Sequence, residues 1–126
     1  MPPLSPEAVR RLELRRWLAA LVAGEYLRDG FTVVLQDIYV GADLSDILTR
    51  LGPPLYLVAL TARAEVIAQR ERQRGKTGYG DWSVAEFCTA FVEQTPRVGL
   101  WIDTSDISPK ETVALVLAHL SQARVG

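Results

Sequence analysis

The stretch Phe31-Thr32-Val33-Val34-Leu35-Gln36-Asp37 decides the fold class. Its apolar residues do not strictly alternate with polar ones, which predicts a strand covered on both faces, as in a parallel sheet. Asp29-Gly30 stands just before it and ends a helix. That helix begins at Ser5-Pro6-Glu7, with Ser5 as N-cap, Pro6 at the first helical position and Glu7 in the first turn, and it runs to about Arg28. Leu14, Trp17, Leu18 and Leu21 recur at helical spacing and predict its inward face, while Glu7 and Arg11 pair on the outer side.

Downstream the pattern alternates. Gly41 breaks the chain, a short helix around Leu44–Leu51 follows, and Gly52-Pro53-Pro54 is punctuation. Leu55–Leu60 reads as a second buried strand and Arg63–Arg74 as a helix. Gly75-Lys76-Thr77-Gly78-Tyr79-Gly80 is a glycine-rich loop. Ser83 then caps a further helix, with Glu86 completing a capping box. Val84, Phe87, Cys88, Phe91 and Val92 line its apolar face, and Pro96 ends it. Val98–Ile102 is a third strand. Ser108-Pro109-Lys110-Glu111 starts the last helix, with Val113, Val116, Leu117 and Leu120 expected to face inward. Strands alternating with helices predict a single α/β domain with a parallel sheet. Functional groups in such sheets gather at the C-terminal strand ends, where Asp37, Thr61 and Asp103-Thr104-Ser105 lie.

Composition narrows the function. The 126 residues carry 14 basic and 15 acidic side chains, a net charge of −1, which argues against a dedicated nucleic-acid binder. One cysteine and one histidine exclude an intrachain disulfide and a Cys/His zinc site. No apolar run is long enough to span a membrane, and the N-terminus lacks a signal-peptide pattern, so the expected location is the cytoplasm, with no membrane partner.

Several residues suit phosphate chemistry. An aspartate at the end of a buried strand, as Asp37 is read, holds magnesium directly or through water beside a nucleotide phosphate; the alternative is a capping or loop carboxylate. Between Arg63 and Lys76 five basic residues face Glu65 and Glu71, a local excess of +3. Arg70 and Arg74 share a helix face, and guanidinium groups at that spacing clamp phosphate oxygens, with the glycine-rich loop behind them as a lid. A solvated charged helix is the alternative. Asp103-Thr104-Ser105 either touches a nucleotide base or forms a turn. His119 reads as a surface residue. Cys88, Trp17, Trp82 and Trp101 read as packing residues.

Taken together these segments resemble the small P-loop kinases. Gly30–Asp37 resembles their third-strand segment, with Asp37 at the Walker B position. Arg70–Gly80 resembles their arginine-bearing lid. Thr95–Ser105, followed by Pro109–Val113, resembles their final strand, base-contacting loop and C-terminal helix. The chain is most similar to the phosphotransferase-like group that includes chloramphenicol phosphotransferase, gluconate kinase and adenylylsulfate kinase. The resemblance implies ATP and Mg2+ as cofactors and transfer of the γ-phosphoryl group to a small-molecule hydroxyl. It implies Asp37 on the magnesium side, Arg70 and Arg74 as catalytic lid arginines, Lys76 as a further lid contact to the nucleotide, and Asp103, Thr104 and Ser105 near the adenine.

One departure is large. No strand–GxxxxGK[ST]–helix occurs in the chain; Gly75-Lys76-Thr77 follows a helix and lacks the upstream glycine. The resemblance therefore predicts the C-terminal two thirds of a kinase-like domain, with a P-loop NTPase sheet missing its central Walker A strand. Phe31–Gln36 and Leu55–Leu60 each lose a neighbour, to be replaced by direct pairing of the two, by a donated strand or by a homo-oligomer. Such a chain is expected to be inactive alone. The alternatives are a non-catalytic module that binds a nucleotide or a protein, and an unrelated α/β module.

Overall fold

The computed structural model describes residues 4–75 and 84–126, apart from the side chains of Val84, Ala85 and Phe87. The expected loop residues 76–80, Trp82 and the proposed cap Ser83 lie outside the described residues. Helix α1 spans Pro6–Arg28 and starts as its sequence predicts: the Ser5 hydroxyl accepts from the Ala8 N–H, and Arg11 pairs with Glu7 at 2.5 Å. Gly30 follows in the left-handed region (φ 88°), a turn that glycine adopts without steric cost. Helix α2 spans Ala42–Arg50, strand β1 Val58–Thr61, helix α3 Ala64–Gln73 and helix α4 Val84–Gln94. Strand β2 spans Leu100–Asp103, helix α5 Pro109–Ala118 and the single turn α6 Leu120–Ala123.

The fold is mixed α/β: β1 and β2 form a two-stranded parallel sheet flanked by helices. Their register sets Val58 against Leu100 and Thr61 against Asp103. The C-terminal tail continues the pairing before β1. Leu55 N–H donates to the Gly126 carbonyl (3.0 Å), Val125 N–H to Leu55 O (2.9 Å) and Leu57 N–H to Ala123 O (2.8 Å). Gly99 is what lets β2 approach this strand so closely. It has φ 77°, and a Cβ there would stand 2.5 Å from the Leu57 carbonyl oxygen. Ser108 caps α5 with a full capping box: Glu111 N–H donates to its hydroxyl at 3.1 Å, and Ser108 N–H donates to the Glu111 carboxylate at 3.2 Å.

Four expectations are corrected. Phe31–Gln36 forms no regular element and joins no ladder among the described residues. A strand is held by hydrogen bonds to a neighbour, and neither β1 nor any other described segment takes that place. Second, β1 is not covered on both faces, since Leu60 is 53% exposed. Third, the stripe of α1 does not face inward. Leu14, Trp17, Leu18 and Leu21 are exposed, and the helix instead turns Ala20 and Ala23 inward. Fourth, Val113, Leu117 and Leu120 are exposed, while Thr112 is the buried residue of α5.

The core is correspondingly thin. Ala20, Leu44 and Ile47 make its cluster, with Tyr39, Leu48, Leu51 and Leu57 packed against it. This seats α1, α2 and Leu57, just before β1, on one another. Cys88 is half-buried, and burial pushes its thiol pKa up, so the thiolate is disfavoured.

Candidate functional site

The C-terminal ends of β1 and β2 carry the densest polar network in the described chain. Thr61 and Asp103 are register partners at these ends, so the residues that follow them, Arg63 and Thr104–Asp106, emerge side by side. Thr104 is buried and crosses back to β1: its N–H donates to the Thr61 carbonyl at 2.7 Å, and its hydroxyl donates to the same oxygen at 3.0 Å. Arg70 reaches from α3 onto the same residue. Its Nη1 donates to Thr104 Oγ1 at 3.0 Å and its Nη2 to the Thr104 carbonyl at 2.6 Å. The guanidinium thereby ties α3 to the end of β2 with two charge-assisted bonds.

Ser105 links the two strand ends from the other side. Its hydroxyl accepts from the Arg63 N–H at 2.8 Å and donates to Asp103 Oδ1 at 2.6 Å, while its own N–H also donates to Asp103 Oδ1 at 2.9 Å. Arg63 closes the network with a two-pronged contact to Asp106, at 3.1 and 3.2 Å, and a bond to Glu65 at 2.8 Å. These contacts set the charge states. The Ser105 hydroxyl and N–H, with Arg63 and Arg70 nearby, hold the Asp103 carboxyl below its ordinary range. Arg63 does the same for Asp106, and Asp106 with Glu65 raises the Arg63 pKa.

The structure thus brings together five of the residues read from sequence: Thr61, Arg70, Asp103, Thr104 and Ser105. Sequence reading missed Arg63 and Asp106 as part of this cluster. The available signal was their position, each just beyond a strand end.

Arg74 stands apart from the network. It follows α3, is largely exposed, and its Nη1 reaches Glu71 at 3.4 Å, so it does not share Arg70's target. Lys76 lies outside the described residues. Asp37 also stands elsewhere. Arg15 of α1 contacts both of its oxygens, at 3.1 and 3.0 Å, and the Ile38 N–H donates to it at 2.7 Å. Beside it Arg16 pairs with Asp43 at 3.2 Å and lies 5.4 Å from the Tyr39 ring centre. The Tyr39 hydroxyl and Arg16 Nε are buried without a hydrogen-bond partner, and burial together with Asp37 raises the Tyr39 pKa.

The donor sets separate what fits from what does not. Magnesium is usually held by one or two carboxylates, several waters and phosphate oxygens. The Asp37 carboxylate is occupied by a guanidinium, and no group of three or more His, Cys, Asp or Glu side chains among the described residues gathers as a metal site. The arrangement therefore does not fit Mg2+ as it stands. A triphosphate is similarly poorly matched to the strand-end network, where Arg63 and Arg70 face Asp103, Asp106 and Glu65. The same carboxylates and hydroxyls are good partners for the amino and hydroxyl donors of a nucleoside.

No family model, curated protein or solved structure matches the chain.

Proposed function

We propose that the chain is the base-binding portion of an ATP-dependent phosphotransferase of the P-loop kinase kind. In a complete domain such an enzyme transfers the γ-phosphoryl group to a small-molecule hydroxyl. The observation that carries this reading is the Arg63–Arg70–Asp103–Thr104–Ser105 network at the C-terminal ends of two parallel strands, the usual ligand position of an open α/β sheet. In this reading Asp103 and Ser105 meet the adenine and ribose, and Thr104 is held for them by Arg70. Arg74 and Lys76 belong to a lid. Asp37 is the magnesium-side carboxylate only in a state in which Arg15 has released it. ATP is the phosphoryl donor of the complete enzyme, its phosphates and Mg2+ being held by a further segment and not by the residues of this network; nucleic acid is not a partner, and the location is the cytoplasm. A phosphate cradle has to come from a further segment, so this chain alone binds the nucleoside part and does not transfer phosphate.

The experiment is a thermal melt of the chain with adenosine, AMP and ATP at millimolar concentration. A ligand that binds only the folded state raises the midpoint. All three are expected to raise it by similar amounts, because the base and ribose carry the contact, and Asp103→Ala is expected to remove the shift. A midpoint unmoved by any of them overturns the reading. Phosphate release from Mg·ATP by the pure chain would overturn its catalytic half.

A second reading is favoured by one specific observation, the thin core beside a large apolar surface on α1. On that reading the chain is a non-catalytic module that binds a protein.

A further inference from the structure

Arg63 stands half in solvent at the strand ends, with its side chain 49% exposed. Its backbone is fixed: the N–H donates to Ser105 Oγ at 2.8 Å, and the residue is the N-cap of α3. Its guanidinium is fixed as well. Nε donates to Glu65 at 2.8 Å, and Nη1 and Nη2 donate to the two oxygens of Asp106 at 3.1 and 3.2 Å. A guanidinium has five N–H donors, all in its plane, and three of them are thereby committed. Contacts to two carboxylates along the edge hold the plane in one orientation, which a free arginine side chain does not keep.

Two carboxylates also offset the charge, so a phosphate oxygen gains little by approaching this group. What the edge contacts leave over is the flat face. In-plane hydrogen bonds do not occupy it. Two other arginines show the contrast: Arg16 and Arg97 lie 5.4 and 4.2 Å from the ring centres of Tyr39 and Trp101, aromatics that the chain itself supplies. Among the described residues no aromatic ring stacks on Arg63 in this way. A guanidinium face takes a planar, delocalised ring, and nucleobases stack on such planes.

A hydrogen-bond acceptor is attached to the same residue. Ser105, which accepts from Arg63, sends both its N–H and its hydroxyl to Oδ1 of Asp103. No donor among the described residues reaches Oδ2. That oxygen accepts from an amino or hydroxyl group and rejects a group without a donor.

From these observations we infer that Arg63 is a stacking plate for a purine base, with a donor of the same nucleoside on Asp103 Oδ2. The inference rests on the nucleoside reading of this site. It adds the residue that holds the ring and the preference for a purine, whose two fused rings cover more of the plate than a pyrimidine does.

Titration of the full chain with adenosine, cytidine and ribose, followed through the proton resonances of each ligand, tests it. The parent chain is expected to bind adenosine more tightly than cytidine, and ribose least. Arg63→Lys keeps a charge beside Asp106 but has no plane, and it is expected to bind adenosine roughly 5-fold more weakly. Arg63→Tyr restores a plane without the charge. It is expected to recover most of the binding and to move the adenine H2 and H8 resonances upfield through its ring current. The side chain is half in solvent, so circular dichroism of both variants should match the parent. If Arg63→Lys binds adenosine as the parent does, or cytidine binds as well as adenosine, the plate is overturned while the nucleoside reading stands. If Arg63→Tyr binds no better than Arg63→Lys, Arg63 acts through its edge and the plate is again overturned. A parent chain that binds neither nucleoside overturns the nucleoside reading, and the plate with it.

Discussion

The strand-end region and the α1 region are completed to opposite degrees. Around β1 and β2 a few small and polar residues are held at short range: Gly99 against Leu57, Thr104 against Thr61, and Arg70 against Thr104. Along α1 and Phe31–Leu35 many large apolar residues are held by very little. Hydrogen-bonded strand ends are satisfied within one chain, because each donor meets its acceptor locally. An apolar stripe is satisfied only when something of matching area covers it. The region richer in hydrophobic residues is therefore the less complete one.

Two glycines make this contrast measurable. Gly99→Ala is the most damaging change expected, since it adds a Cβ at 2.5 Å from a backbone carbonyl at a φ of 77°. The left-handed backbone costs about 1–2 kcal/mol for a side chain, and forced overpacking about as much again, so a loss of about 3 kcal/mol is expected in urea unfolding. Gly24→Ala in α1 meets nothing within 4 Å and is expected to stabilise the chain by roughly 0.5–1 kcal/mol through helix propensity. Equal effects at the two positions would break the comparison.

Arg70→Ala comes next. It removes two bonds from a guanidinium to Thr104 and leaves the Thr104 carbonyl without that donor. Bonds of this class contribute about 1.5–3 kcal/mol, so a loss near 2 kcal/mol is expected, with Arg74→Ala nearly neutral because its contact is an exposed one. Matching losses in the two variants would mean that Arg70 does not tie α3 to β2.

How much of this was legible in the sequence follows from how local each feature is. The Ser5 and Ser108 caps are contained within four residues, and both form as read. The parallel relation of β1 and β2 follows from the helices between them. Asp103, Thr104 and Ser105 were legible as a strand-end group for the same reason. Arg63 was not, because a basic residue opening a charged helix looks solvated until its register against Asp106 is known. The stripe of α1 and the apolar run at Phe31–Gln36 were read as packed surfaces, and most of their large apolar side chains are exposed. Periodicity records that a face is apolar and is silent on whether the same chain supplies its cover. Asp37 illustrates the same limit. It ends an apolar run, and its partner, Arg15, comes from the preceding helix.

The smallest expected effect is on acid stability, and it belongs to the strand-end region alone. Asp103 and Asp106 have folded pKa values below their ordinary ones, because Ser105 donates to the first and Arg63 pairs with the second. Their contribution is therefore fully present above the ordinary aspartate value of about 3.9, and it is lost as pH falls through the lower folded values. Both groups face solvent, so the expected dependence is shallow and weakens with added salt. Urea midpoints between pH 7 and pH 3 should fall less in Asp106→Asn than in the parent chain, since the amide no longer titrates. Arg63→Gln should flatten the same part of the profile, because without the guanidinium the Asp106 carboxyl returns toward its ordinary value. A profile that steepens in either variant would place the acid-sensitive contact elsewhere.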